Sequence, residues 1–256
     1  MSSNAELHLA YKVGNAELSL FPYPHFFVQN VFPSDFYAEI QANLPDPAAL
    51  LPIAEVRPVK GYKERFVFDF AGPQFNALPR EKQAFWSGMH KWLLGGRFGQ
   101  LVIEKFRPFI AQRFGNDPNL ELYDEGLLVQ DITNYSLGPH TDSPRKVITF
   151  LFYLPADESQ RHLGTSIYLP KDPAFRCKGG PHYRHDGFER VWTMPFVPNS
   201  LFAFFKTDNS FHGVEPVLDA DTRRWLLLYD IYMREQKPVG TQRNAAVSPA
   251  NVKFSF

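Results

Sequence analysis

The part of the chain that decides its fold is residues 126–154, GLLVQDITNYSLGPHTDSPRKVITFLFYL. Two runs rich in β-branched and aromatic residues, 127–133 and 146–154, stand on either side of a segment that contains Gly138 and Pro139. β-Branched and aromatic side chains are enriched in strands, whereas glycine and proline are typical of turns. The stretch therefore predicts two consecutive strands, and the polar residues between them are candidates for a functional site.

The rest of the C-terminal half continues this pattern. Short runs of strand-forming residues recur, separated by Gly, Pro and Asp, and no run with helical periodicity lies between them. This arrangement is typical of an antiparallel sandwich or jelly roll. The further strands predicted are 165–169, 188–195, 200–205 and 225–233.

The N-terminal half carries the helical patterns. Residues 1–33 are expected to form an extended lead-in, because prolines interrupt their apolar run. A helix is predicted to begin at Ser34, and a longer helical region, 78–114, is expected to break at Gly95-Gly96. These helices are expected to brace a sheet.

These patterns predict a mainly β protein with bracing helices. Residues 1–125 are expected to form an N-terminal extension whose helices pack on the core, and residues 126–256 to form a jelly-roll core. At 256 residues, the two parts are compatible with one structural domain.

The composition limits the classes of partner. Lys+Arg and Asp+Glu both number 27, so no nucleic-acid partner is expected. Cys177 is the only cysteine, which rules out an intrachain disulfide and favours a cytoplasmic location. No apolar stretch approaches the roughly 18 residues of a membrane span, and the N-terminus has no signal-peptide pattern. No feature indicates the oligomeric state.

Three residues form a candidate metal site. His140 and Asp142 are two apart in sequence, so along a strand their side chains point to the same face. His212 follows the aromatic run 201–205 and a short polar turn, which a jelly roll can return beside the first pair. Two histidines and one carboxylate are typical of non-haem Fe(II) sites that leave positions open. The alternative is a turn histidine, a turn-capping aspartate and a hydrogen-bonded loop histidine.

At this point the sequence resembles the Fe(II)/2-oxoglutarate-dependent oxygenase superfamily, in its prolyl 4-hydroxylase-like branch. Residues 129–142, with Tyr-x-x-Gly and His-x-Asp, are similar to the strand and metal motif of that branch. Residues 147–154 look like its following core strand, and 212–217 with 223–225 look like its closing motifs. The resemblance covers about 126–233, and the first hundred or so residues carry no recognised motif.

The resemblance implies a double-stranded β-helix that acts as a dioxygenase. Iron would be bound by His140, Asp142 and His212, which would also be the catalytic residues. The co-substrates would be 2-oxoglutarate and O2, and a C–H bond of a substrate would be hydroxylated with release of succinate and CO2. The substrate is not identified; a small molecule, a sugar and a peptidyl residue all remain open.

The resemblance also implies a basic residue on the last strand for the far carboxylate of 2-oxoglutarate. An arginine suits a carboxylate because its planar fork pairs two oxygens. Arg223 is preferred from its spacing to His212, and Arg224 is the alternative, because neighbours on a strand face opposite sides. Tyr135 matches a family position that hydrogen-bonds the co-substrate. A surface ion pair is the alternative role for either arginine.

Two departures from the family pattern concern the substrate. Residues 162–166 replace a Gly-Gly motif, and the loop between 155 and 190 is long. Its basic residues hint at an anionic substrate group, although a solvated loop explains them as well. A different class of function is a cupin-like metal-binding jelly roll, an isomerase or a sugar-binding protein, that does not use 2-oxoglutarate.

Overall fold

The computed structural model describes residues 2–234 except 58, 60, 95 and 116, with Ser2 and Ser3 described by backbone alone. The last part of the predicted core, 235–256, lies outside the described residues, as does Gly95. Within the described part, no helix is long and apolar enough to cross a membrane.

Two antiparallel sheets form the centre of the structure, which confirms the mainly β jelly-roll prediction. The larger sheet contains β1 (His25–Gln29), β2 (Leu51–Pro52), β3 (Arg65–Phe68), β4 (Leu122–Ile132), β6 (Lys146–Tyr153), β9 (Ser200–Phe205) and β11 (Arg223–Met233). The smaller sheet contains β5 (Leu137–His140), β7 (Ser166–Pro170), β8 (Phe188–Thr193) and β10 (His212–Val214). The strand order is β1-β9-β6-β11-β4-β3-β2 in the larger sheet and β5-β10-β7-β8 in the smaller.

The α-helices precede β4 in the chain, and all but the short helix at 53–56 pack against one face of the larger sheet. The predicted helical region between 78 and 114 is present and breaks before Arg97, where Gly96 has a φ of 96°. A positive φ is strained for residues other than glycine, so this residue suits the break. The helices are α1 (Ser2–Asn15), α2 (Ser34–Ala42), α3 (Ile53–Val56), α4 (Pro73–Ala77), α5 (Arg80–Leu93) and α6 (Arg97–Phe114).

The extended lead-in predicted for residues 1–33 is wrong over its first half. The structure has α1 there, and Ala5, Leu9 and Val13 are buried in the same core as residues of α6. Their spacing of four places them on one helical face. The later part is partly extended: β1 is an edge strand of the larger sheet and pairs with β9.

The two faces of the larger sheet contact different parts of the structure, because side chains alternate between the faces along each strand. On β6, Phe150 and Phe152 pack in the core that contains the helices. Thr149 and Leu151 line a cavity on the opposite face, toward the smaller sheet. The helices therefore hold a sheet whose other face is available for a site.

We expect Phe150→Ala to destabilise the fold by about 3–5 kcal/mol, the usual range for removing a buried Phe. Phe150 is fully buried, and its ring contacts those of Phe26, Phe98 and Tyr229. The measurement is equilibrium unfolding in urea. Leu218→Ala is the control, since Leu218 is 77% exposed, and it should change the free energy of unfolding by less than about 0.5 kcal/mol.

A buried carboxyl group on β4 makes stability depend on pH. Asp124 is 4% exposed, and one of its oxygens accepts a hydrogen bond from the Tyr229 hydroxyl at 3.0 Å. Burial raises the pKa of Asp124 from 3.8 to about 6. Between these two values the folded protein binds more protons than the unfolded chain. The stabilisation from this group is therefore complete below about 3.8 and is lost as the pH rises through about 6.

Asp124→Asn is expected to remove this dependence. The variant should be more stable than the parent by roughly 1–3 kcal/mol at pH 7, with the difference shrinking toward zero near pH 4. Urea unfolding at the two pH values measures it. Asp186→Asn is the control, since that carboxylate is largely exposed in a loop. A constant difference for Asp124→Asn at both pH values would contradict the expectation.

Candidate active site

The smaller sheet brings the two predicted histidines together. His140 on β5 pairs directly with His212 on β10, and their ring centroids are 4.3 Å apart. Asp142 follows just beyond the end of β5. One ligand atom from each of His140, Asp142 and His212 lies within 4.8 Å of the others. The three residues predicted from sequence therefore converge at one point, and we call His140, Asp142 and His212 the metal-type residues.

Backbone carbonyls orient both histidines. The Nδ1 of His140 lies 3.0 Å from the carbonyl oxygen of Gly138, and the Nδ1 of His212 lies 3.0 Å from that of Ser210. A carbonyl oxygen only accepts hydrogen bonds, so Nδ1 carries the proton in both rings. Each Nε2 keeps its lone pair, and that of His212 lies 4.0 Å from a carboxylate oxygen of Asp142. Such outer contacts are typical of metal-binding histidines.

Both oxygens of the Asp142 carboxylate have partners. Thr149 donates its hydroxyl to Oδ2 at 2.8 Å, and the Lys146 ammonium lies 3.3 Å from Oδ1. Lys146 also pairs with Asp230 at 3.2 Å. Burial alone would raise the pKa of Asp142, but Lys146, the two histidines and the Thr149 hydrogen bond outweigh it, so the pKa lies below its usual range. The carboxylate is held ionised and in one orientation.

The histidines are neutral at physiological pH. Burial, followed by the neighbouring His212, lowers the pKa of His140 to about 3, and burial also lowers the pKa of His212. Metal binding requires neutral imidazoles and ionised carboxylates. Two neutral imidazoles and one carboxylate on one side of a cavity are a donor set that suits Fe(II). The residues present therefore fit this ion.

Arginines occupy another part of the same cavity. Arg224 is 1% exposed, donates from Nη1 to Asp131 at 2.6 Å and from Nε to the carbonyl of Leu163 at 2.6 Å. Arg65 on β3 binds the same carboxylate. The cavity also has apolar walls, which are formed by Leu137, Leu151, Val214, Leu226 and Leu228.

The structure places Arg224, which was the alternative to Arg223, in the cavity with His140, Asp142 and His212. Arg223 is exposed, lies 3.5 Å from the Gln130 side chain and lines a different cavity with Phe66. Arg224 has the same parity as Leu226, so its side chain faces the metal-type residues. Spacing from His212 could not decide between them, because an irregular segment separates the two strands.

Tyr135 is buried next to the arginines but does not line the cavity. The Arg65 guanidinium lies 4.5 Å from its ring centroid, a cation–π contact. The Tyr135 hydroxyl has no hydrogen-bond partner within the described part of the chain.

Sequence reasoning missed Arg65 and the role of Lys146. Simple alternation from Thr149 would turn Lys146 away from the cavity. A register shift between β6 and β11 pairs Lys146 with Tyr232 and skips Val147, which reverses the parity. Arg65 begins a short aromatic run that lies outside every recognised motif. Only its position opposite Asp131 indicates a role, and that position depends on the register of β3 and β4, which the sequence does not show.

The long loop between β7 and β8 is fixed against the metal-type residues. Tyr183 donates its backbone N–H to the carbonyl of Pro139, and the Thr141 hydroxyl donates to the carbonyl of Cys177. The loop brings the ring of His182 to 4.4 Å from that of His140, measured between centroids. Its basic side chains Lys171, Arg176, Lys178 and Arg184 are exposed, which agrees with a solvated loop.

Comparisons with known proteins found solved structures that resemble this chain at low sequence identity. Neither a protein-family model nor a curated protein sequence matches the chain. Among solved structures, SnoN, a non-haem α-ketoglutarate-dependent epimerase from nogalamycin biosynthesis, is 13% identical with a TM-score of 0.50 over 97% of this chain and 95% of that chain. A prolyl hydroxylase from Trichoplax adhaerens, solved with a hypoxia-inducible-factor peptide, is 12% identical with a TM-score of 0.48 over 90% of each chain. A Pseudomonas putida prolyl-4-hydroxylase is 16% identical with a TM-score of 0.44 over 90% of this chain and 100% of that chain.

The likeness to SnoN extends over nearly the whole of both chains, and at 13% identity it is a likeness of fold. The motifs of residues 126–233 predicted the same fold. The chain therefore shares a jelly-roll fold with an α-ketoglutarate-dependent enzyme.

Proposed function

We propose that this protein is an Fe(II)- and 2-oxoglutarate-dependent dioxygenase that hydroxylates a C–H bond of an unidentified substrate. The observation that carries the proposal is one cavity lined both by His140, Asp142 and His212 and by the buried cation of Arg224. A keto acid with a second carboxylate needs both features. A metal-binding jelly roll of the cupin type has no use for the arginine.

The residues of the smaller sheet would hold the iron. His140 and His212 would bind through Nε2, because Nδ1 of each is engaged by a backbone carbonyl. Asp142 would supply the carboxylate. Bound iron would activate O2 for oxidation of the substrate, with 2-oxoglutarate converted to succinate and CO2. Thr149 and Lys146 keep the carboxylate oriented.

The co-substrate would lie along the apolar walls with its far carboxylate at Arg224. Charge-assisted pairing with a guanidinium is strong and directional inside a cavity. Arg223 is assigned no contact with the co-substrate, and Tyr135 is proposed to act through Arg65, on which its ring packs. The apolar walls would exclude water from the reacting atoms.

The substrate class stays open in this proposal. SnoN is described as an epimerase and the Trichoplax adhaerens protein as a prolyl hydroxylase, so similar folds belong to proteins that differ in reaction. We propose hydroxylation because Asp142 occupies the third ligand position, where a halogenating enzyme would need a small residue. A cytoplasmic location is proposed from the single cysteine, which is free and buried.

The proposal is tested by titrating anaerobic Fe(II)-loaded protein with 2-oxoglutarate. Chelation by the keto acid is expected to produce a visible charge-transfer band, and admission of O2 should then yield succinate even without substrate. Asp142→Ala should abolish both signals. A protein that binds Fe(II) but gives no band with 2-oxoglutarate would favour the cupin-like alternative.

Thr149→Val is expected to weaken metal binding by about 10- to 100-fold, as usual when a partner of a metal ligand is lost. The change keeps the shape and removes the hydroxyl that holds Oδ2 of Asp142. Co(II) titration followed by absorbance measures the affinity. Thr193→Val, which removes a hydroxyl bonded to Ser166 on the smaller sheet, is the matched control. Equal affinities for the two variants would contradict the role of Thr149.

The adjacent arginines offer a test with a built-in control. Arg224→Met is expected to weaken 2-oxoglutarate binding by about 10- to 100-fold, because a buried charged partner of the carboxylate is lost. Arg223→Met should bind it as the parent does, since its side chain is exposed on the other face. The charge-transfer titration measures both. The reverse outcome would restore Arg223 as the binding residue.

A further inference from the structure

A fully buried carboxylate, Asp131, is shared by two arginines. Arg65 binds it with two nitrogens, Nε at 2.6 Å and Nη2 at 3.0 Å, and Arg224 binds it with Nη1 at 2.6 Å. The three residues lie directly opposite one another on β3, β4 and β11. Side chains paired in this way share one face of the sheet, so strand register fixes the group.

This group has an excess of positive charge in a buried position. Two guanidinium ions face one carboxylate, and the side chains are 13% exposed for Arg65, 1% for Arg224 and 0% for Asp131. Buried charges are costly unless they are paired. Asp131 balances one of the two cations, and the more distant Asp230 also raises the pKa of Arg65. Both arginines line the cavity that also contains Asp142, so an anionic group of a ligand there would meet two guanidinium groups.

Each guanidinium also keeps one nitrogen for a ligand. Arg65 uses Nε and Nη2 for Asp131, and Arg224 uses Nε for Leu163 and Nη1 for Asp131. Nη1 of Arg65 and Nη2 of Arg224 have no hydrogen-bond partner among the residues that the structure describes. Asp131 thus orients both groups without using all their donors.

We propose that Arg65 is the second arm of a two-arginine clamp that binds the far carboxylate of 2-oxoglutarate together with Arg224. This inference rests on the proposed function and adds a binding residue to it. Arg65 comes from β3, before the part of the chain that carries the family motifs. The Tyr135 ring supports its guanidinium from one side, at 4.5 Å from the ring centroid.

The two-arginine clamp predicts which oxo acids the protein prefers. Oxo acids without a far carboxylate, such as 2-oxobutyrate, can chelate a metal through the same keto-acid end but offer the two guanidinium groups no carboxylate. The protein should therefore prefer 2-oxoglutarate over 2-oxobutyrate, and Arg65 should contribute to that preference. Its contribution is measured by the ratio of the two affinities rather than by either affinity alone.

The experiment titrates anaerobic Fe(II)-loaded full-length protein with 2-oxoglutarate and, separately, with 2-oxobutyrate. Arg65→Met is expected to weaken 2-oxoglutarate binding by about 10- to 100-fold and to leave 2-oxobutyrate binding unchanged. Asp131 keeps Arg224 as a partner in this variant, so the fold should survive. Arg97→Met is the control, since that side chain is 86% exposed, and both affinities should match the parent.

Arg65→Lys gives a second variant in case Arg65→Met does not fold. It retains the charge beside Asp131 but lacks the planar fork, so the ratio of affinities should fall by about 3- to 10-fold. An unchanged ratio in a folded Arg65 variant would overturn the clamp, as would equal weakening of both ligands, which indicates a structural role. If the parent protein binds Fe(II) but not 2-oxoglutarate, the proposed function itself fails, and the clamp with it.

Discussion

The pairing of β5 with β10 is the contact on which the site depends. It sets His140 directly opposite His212, although the two residues are far apart in the chain. The end of β5 then delivers Asp142 to the same point. Backbone hydrogen bonds of the smaller sheet thus fix the separation of the two histidines, and the carbonyls of Gly138 and Ser210 fix the rotation of their rings. The positions of these side chains are therefore set before any ligand binds. Such pre-organisation is typical of metal-binding sites.

Charged side chains in and around the cavity form two groups of ion pairs. Asp142, Lys146 and Asp230 form a chain of ion pairs beside the histidines. Asp131 organises the two arginines of the other group, and leucines contribute the apolar walls. Lys146 holds the pKa of Asp142 below its usual range, whereas burial raises the pKa of Asp230. The cavity is therefore polar where a ligand would bind and apolar along its walls.

The sequence predicted the jelly roll and the convergence of the three metal-type residues, because strand alternation and local motifs determine both. Features that depend on long-range register could not be predicted. Spacing along the chain favours Arg223, whereas in the structure Arg224 lines the cavity with His140 and Arg223 lines a different one. Lys146 was overlooked because a bulge at Val147 reverses the alternation. The sequence pattern of α1 is a stripe of apolar residues spaced by four that begins at Ala5. The prolines in the later part of residues 1–33 led to the prediction of an extended segment instead.

The loop between β7 and β8 contacts the site through its backbone and the ring of His182, whereas its lysine and arginine side chains are exposed. The carbonyl of Cys177 and the N–H of Tyr183 make its hydrogen bonds to the metal motif, and an added Cβ at Gly179 would lie 2.2 Å from the carbonyl oxygen of Asp142. The contacts that anchor the loop therefore involve different groups from the exposed side chains that form its surface. The exposed lysines and arginines of this loop can be exchanged, by evolution or by engineering, to present a different rim to incoming molecules while the geometry of His140, Asp142 and His212 stays the same.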